Sequence, residues 1–255
     1  MVIKSLIEII SFLTIIPVHK FTDNVSLENI SKGMYLFPLI GLVIGVSSIP
    51  ISIASFHFLN HLVSGFLITG YLIIITGMHH TDALADFADG LMVKGNKEKK
   101  YRAIHDPMTG SAGTVAIISY CIGMIVTISS FNDIGKLIAS ILISEVIAKY
   151  ALVLLAFLSE SAWEGYSSLF TKNMKSRWKM IVSTIMTVIL TMLIGQSIQL
   201  TIQALITGIG CCFLIIYTSK KNFGGVSGDV MGATNEIVRL FCLISLSSSS
   251  TPTSL

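Results

Sequence analysis

Three aspartates, Asp82, Asp86 and Asp89, stand at i, i+4 and i+7 in the stretch HHTDALADFADG, residues 79–90. On a helix they project from one face, one above another. Like charges at that spacing repel each other, and no Lys or Arg within the stretch relieves them. A bound divalent cation would. Oxygen ligands favour Mg²⁺, Mn²⁺ or Ca²⁺ over zinc. Mg²⁺ takes one or two carboxylates and completes its shell with water and phosphate oxygens. The plain alternative is a solvated acidic face, but Ala83, Leu84, Ala85, Phe87 and Ala88 surround the acids with apolar groups that such a face does not need.

Two glycine-bearing stretches add a different chemistry. Residues 105–113, HDPMTGSAG, lead straight into an apolar run. Glycines at a helix start let backbone N–H groups approach an anion, which the helix dipole also favours. Residues 223–236, FGGVSGDVMGATNE, repeat that design, with Asp229, Gly232 and Glu236 at helical spacing on one face. Glycines near helix ends are also ordinary turn residues, so either loop alone says little. Together with the acids they suggest a site for a diphosphate and a metal. His80 and His105 flank the acids, where an imidazole could act as base or phosphate donor. His19, His57 and His61 lie outside and read as interfacial.

These residues need elements to position them, and the composition says which. Hydrophobic residues make up 53% of the 255-residue chain and charged residues 12%. Soluble domains carry about 25% charged residues, so this is expected to be an all-α, polytopic membrane bundle. The net charge of +3 gives no nucleic-acid-binding surface. Cys121, Cys211, Cys212 and Cys242 all lie in apolar runs without a CxxC pair and read as buried hydrophobes. Runs of ~20 apolar residues predict spans at Met34–Phe56, His61–Met78, Ser111–Phe131, Gly135–Phe157, Met180–Gln199 and Thr201–Thr218, with a weaker seventh at Met231–Leu246. Ser5–Val18, interrupted by Glu8 and lacking a small-x-small cleavage pattern, reads as an interfacial helix. Residues 1–246 form one membrane-embedded catalytic domain in this reading, and 247–255 a disordered Ser/Thr-rich tail. Trp163, Tyr166 and Trp178 read as interface markers.

The cations set the sidedness. Lys4, Lys20 and Lys32 precede the first span. Lys94, Lys97, Lys99, Lys100 and Arg102 follow the second, Lys172, Lys175, Arg177 and Lys179 the fourth, and Lys220 and Lys221 the sixth. The opposite loops are nearly uncharged. The positive-inside rule therefore places the N-terminus, and with it all three acidic stretches, on the cytoplasmic side. Glu145 and Lys149, at i, i+4 within a span, read most simply as a mutual ion pair, although intramembrane ionisable groups are functional candidates by default.

Ordered along the chain, these motifs resemble cobalamin synthase, the adenosylcobinamide-GDP ribazoletransferase family. The similarity runs from Phe12-Leu13-Thr14 and Pro17 through Phe37-Pro38-Leu39-Ile40-Gly41 to the last acidic stretch. It is densest at His80-Thr81-Asp82-Ala83-Leu84-Ala85-Asp86-Phe87-Ala88-Asp89-Gly90 and at Gly224-Gly225-Val226-Ser227-Gly228-Asp229-Val230-Met231-Gly232-Ala233. Ala83 stands where the family pattern has Gly, Ser227 where it has Thr, and Met108 where it has Arg. The last change removes a phosphate contact that Lys94, Arg102 or His105 would have to replace.

The resemblance implies a membrane transferase that joins adenosylcobinamide-GDP to α-ribazole, or its 5′-phosphate, and releases GMP. It implies Mg²⁺ as cofactor, held by Asp82, Asp86, Asp89 and Asp229. His80 or Asp89 would accept the hydroxyl proton, with Asp106 also in the catalytic set. Gly110, Gly113, Gly224, Gly225, Ser227, Gly228 and Glu236 would bind substrate. A homo-oligomer, or docking of other pathway enzymes, is compatible with it. Two other classes stay open: a CDP-alcohol phosphotransferase-like lipid enzyme, suggested by Asp86-Phe87-Ala88-Asp89-Gly90, and an ion-coupled transporter, suggested by Glu145 and Lys149.

Overall fold

Apolar runs become helices because a chain in lipid must satisfy its backbone polar groups internally. The computed structural model describes residues 2–18, 26–195 and 197–248. His19, Lys20 and residues 249–255 of the expected tail lie outside them.

The N-terminal helix is α1 (Val2–Leu13), followed by the short α2 (Leu27–Lys32). The first span, Met34–Phe58, begins with a 3₁₀ turn and divides into α3 (Phe37–Ser47) and α4 (Ile49–Phe58). Pro50 lies in the first turn of α4, where its missing N–H costs nothing. Next come α5 (His61–Ile75), α6 (His79–Met92) and α7 (Lys97–Ile104). The chain then crosses as α8 (Ser111–Ser129) and α9 (Ile134–Leu158), runs through the short α10 (Tyr166–Asn173), and finishes with α11 (Arg177–Gly195), α12 (Ile198–Asn222) and α13 (Gly228–Ser248).

Helix α9 is the axis. It is buried almost continuously from Ser140 to Ala156, with α3, α11, α12 and α13 packed around it. The outer helices turn apolar faces outward, such as Ile181, Ile185 and Ile189 on α11 and Val115, Ile118 and Ile122 on α8. Exposed apolar rows of that extent suit contact with lipid.

Six helical segments are long and apolar enough to cross a membrane. The weaker seventh is among them, since α13 passes on its own. The span that falls short is the second. Helix α5 has fifteen residues, about 22 Å at 1.5 Å per residue against a hydrocarbon core of about 30 Å. Gly77 and Met78 take positive φ, +66° and +62°, and α6 leaves α5 at 91°. With 14 residues α6 is too short to cross on its own, so it lies outside the six spanning segments. The run His61–Met78 therefore ends in a turn that hydropathy does not reveal. Trp163 packs edge-on against Tyr101, 4.8 Å between ring centroids.

Candidate active site

Helix α6 carries the acids, and three contacts tie it to the rest of one end of the bundle. Lys100 of α7 donates to the Gly90 and Leu91 carbonyls, 3.3 and 2.9 Å, capping the C-terminal end of α6 with a positive charge. Asp89 accepts the N–H groups of Gly110 (2.7 Å) and Gly113 (2.9 Å) at the start of α8. Gly232 of α13 lies against Ala83 so closely that a Cβ there would overlap the alanine methyl. Residues 224–226, before α13, pair with the segment after α9: Val226 N–H donates to Glu160 O and Ala162 N–H to Val226 O, both 2.9 Å. Thus the loops around α6–α7, α9–α10 and α12–α13 gather at one end, as the alternation of cations requires.

Asp86 sits among Asp82, Asp89 and Asp229. Burial first, then the charges of Asp82, Asp229 and Asp89, raise its carboxyl to about 6, with His105 opposing. Asp229 reaches this group from the first turn of α13, where Ser227 caps the helix: Val230 N–H donates to Ser227 Oγ at 3.2 Å, and Ser227 Oγ donates to Asp229 Oδ2 at 3.2 Å. Among the described residues no three His, Cys, Asp or Glu side chains converge closely enough to hold an ion unaided. Asp82, Asp86 and Asp229 are nonetheless donors of the type a hard divalent cation takes. They are oxygen donors whose mutual repulsion a cation relieves, and Mg²⁺ commonly draws the rest of its shell from phosphate and water.

Several expected roles change. Asp89, read as metal ligand and base, spends both oxygens on the N-terminus of α8. It is an anchor there, an acid complementing a helix dipole. Gly110 and Gly113, read as approach points for a diphosphate, instead admit Asp89: a Cβ on either would stand 2.5 Å from its carboxylate oxygens. Gly225 likewise makes room for the chain, since a Cβ there would meet Glu160 O at 2.5 Å. Gly224 takes φ +93° with the Lys97 ammonium beside it, so the cation at this turn is Lys97. Arg102, a suggested replacement for the Met108 position, pairs with Glu98 at 2.9 Å. Gly228 alone of these glycines opens onto free space. Asp106 accepts the Met108 N–H at 3.0 Å and shapes its own exposed loop.

Glu236 departs furthest from expectation. It is fully buried, bonded to Arg239 at 2.7 Å and to Asn235 at 3.0 Å. Arg239 also pairs with Glu145, Nε to Oε1 at 2.6 Å, and donates to Tyr120 OH at 2.9 Å. Lys149 donates to Asn235 at 2.5 Å and lies 3.8 Å from Glu145. The expected Glu145–Lys149 pair is therefore one edge of a charge-balanced group of two acids and two bases, and Arg239 is its centre. His80 Nδ1 stands 3.9 Å from Glu236 Oε1, beyond hydrogen-bonding distance. Burial first, then the charges of Lys149 and Arg239, hold the His80 imidazole well below its usual pKa. It is neutral at pH 7, the form that can accept a proton.

Beside this group lies a cavity of about 680 Å³ between α1, α10 and the α6–α13 crossing, with His80, Gly228 and Asp229 on its wall.

The Asp89 anchor makes a prediction. Gly113→Ala drives a methyl into the carboxylate and toward the Ala85 carbonyl, 3.0 Å away. Overpacking of that kind costs about 1–3 kcal/mol, so the thermal midpoint in detergent should fall. An unchanged midpoint would show that the α6–α8 latch is not tight.

Residues 5–247 match the family model described as Cobalamin-5-phosphate synthase. The chain is similar to proteins named adenosylcobinamide-GDP ribazoletransferase. One from Archaeoglobus fulgidus is 31% identical, covering 91% of this chain and 92% of the relative. One from Pyrococcus abyssi is 31% identical over 94% and 96%. One from Thermococcus kodakarensis is 32% identical over 92% and 95%. No solved structure matches the chain.

Proposed function

The chain belongs to the cobalamin-5-phosphate synthase family, and on that premise we propose that it joins adenosylcobinamide-GDP to α-ribazole, or its 5′-phosphate, with release of GMP. The observation that carries this reading is the meeting of α6 and α13, which sets Asp229 among Asp82 and Asp86.

The acceptor's ribose hydroxyl attacks the phosphorus bonded to the cobinamide side chain. A P–O bond forms there, the P–O bond to GMP breaks, and its electron pair leaves with the GMP phosphate. In such transfers the protein chiefly positions groups and neutralises charge. Asp82, Asp86 and Asp229 would hold Mg²⁺, which when bound supplies positive charge to the diphosphate oxygens. Ser227 fixes Asp229 through its hydroxyl. Lys97, beside Gly224, offers a cation to the nucleotide phosphates. His80 takes the hydroxyl proton: with its own proton on Nδ1, on the side of Glu236, Nε2 is the acceptor. Asp89 holds α8 against α6 and keeps the acids in register. The cation-rich loops support a cytoplasmic position for this end and for the N-terminus.

The test is nucleotide release by the purified, detergent-solubilised protein given adenosylcobinamide-GDP, α-ribazole and Mg²⁺. GMP and a cobalamin product are expected, both lost on adding EDTA and regained with excess Mg²⁺. Folded protein that yields no GMP with either form of the acceptor would overturn the reading, and CMP release from a lipid precursor would replace it.

A further inference from the structure

We propose that the cavity beside His80 and Asp229 is the seat of the acceptor's aryl base, an inference that rests on the transferase reading above. Its wall is aromatic. The Phe12 and Phe170 rings stack with centroids 5.9 Å apart and planes at 26°, and Phe37 packs against Phe170 at 6.3 Å and 59°. All three line the space. Flat aryl groups gain offset-stacked and edge-to-face contacts from such a wall.

The cavity also has a polar edge in the right place. Asp229 belongs both to this wall and to the acidic group around Asp86. His80 shares the wall, and Gly228 opens onto free space beside it. A base seated against the phenyl rings therefore presents its ribose to the residue that takes the proton and to the carboxylate beside the diphosphate. A lipid tail would use the rings but would leave this edge without purpose.

Size and charge narrow the occupant further. Pockets of about 300–1,000 Å³ hold drug-sized molecules, and at about 680 Å³ this one suits a nucleoside. A corrinoid with its amide arms and adenosyl ligand is several times larger. Among the described residues no Lys or Arg lines the space, so the diphosphate lies outside it. A neutral aryl nucleoside is the substrate part that remains.

The probe is α-ribazole itself, bound to the full-length protein in detergent without corrinoid and followed by equilibrium dialysis. Ser11, on α1, lines the cavity and is half-buried, so Ser11→Trp fills it while leaving every acid unsubstituted. The expected result is a rise of about tenfold or more in both Kd and KM for α-ribazole, in line with the loss of stacked contact, with an unchanged KM for adenosylcobinamide-GDP. Phe170→Leu keeps the bulk but removes a ring, and should raise the same two constants about threefold. It stands as the test if Ser11→Trp does not fold. An unchanged Kd for α-ribazole, or a rise in the KM for adenosylcobinamide-GDP instead, would overturn the assignment while wild-type GMP release left the reaction standing. Wild-type protein that binds α-ribazole in this cavity but releases no GMP would overturn the reaction and leave the cavity.

Discussion

Asp86→Asn is expected to abolish turnover while making the metal-free protein more stable. The first half follows from Asp86's place among Asp82, Asp89 and Asp229. Loss of an outer-shell partner of a metal ligand already costs 10–100-fold, so loss of a central ligand should cost more than about a hundredfold in kcat. The second half follows from the sign of the pKa shift. The folded protein raises the Asp86 carboxyl from its ordinary value to about 6, so ionised Asp86 penalises the fold. That penalty builds from about pH 4, where the unfolded carboxyl ionises and the folded one does not, and is full above about pH 6. With EDTA at pH 8 the Asn variant should therefore melt above wild type, and the gap should close by pH 4. Excess Mg²⁺ at pH 8 should reverse the order if Asp86 holds the ion, because a ligand that binds wild type and scarcely the variant stabilises wild type alone. A merely structural Asp86 would give a variant that melts lower at every pH, and retained turnover would remove the residue from the metal set.

The acidic group was legible because its signal is periodic. The i, i+4, i+7 spacing fixes a face, and alternating cation-rich loops place three distant stretches at one end before any fold is known. What each acid does there was not legible. Asp82, Asp86 and Asp89 are equivalent on a helical wheel, yet Asp89 alone meets Gly110 and Gly113, because α8 starts beside the C-terminal half of α6. That is tertiary information. The same holds for Glu236, correctly placed on the stripe with Asp229 and Gly232. Gly232 is small so that α6 can approach, and one turn further the stripe has passed beneath α6 into the core. Helix α5 deceives in another way: its apolar run continues through Gly77 and Met78, whose positive φ ends it. Arg239 was overlooked although a signal existed. A lone Arg in an apolar run, three residues after a Glu, is costly in a membrane and demands partners.

Those partners give the second large effect. Arg239→Met is expected to destabilise the protein by about 3–5 kcal/mol, the usual cost of removing one side of a buried pair. Arg239 serves Glu145, Glu236 and Tyr120 at once, and all of these are buried, so its loss leaves two carboxylates facing each other in a dry interior. Lys149 cannot replace it. Its ammonium is 3.8 Å from Glu145 and donates to Asn235, and a single ammonium lacks the fork that reaches several acceptors. Arg239→Lys should accordingly recover little. Neutralising one of the stranded acids as well, in the double variant Glu236→Gln, Arg239→Met, should recover much of the loss, because Glu145 and Lys149 then balance each other and no unpaired charge stays buried. Midpoints of denaturant-induced unfolding in micelles would measure all three. Equal stability of Arg239→Met and wild type would mean that the network is not held together as its geometry indicates. The same measurement bears on transport, for which Glu145 and Lys149 were the only motive. An ion pathway needs carboxylates that load and release, and a strongly destabilised Arg239→Met would show that these are held in fixed pairs that tie α9 to α13 beneath the active site.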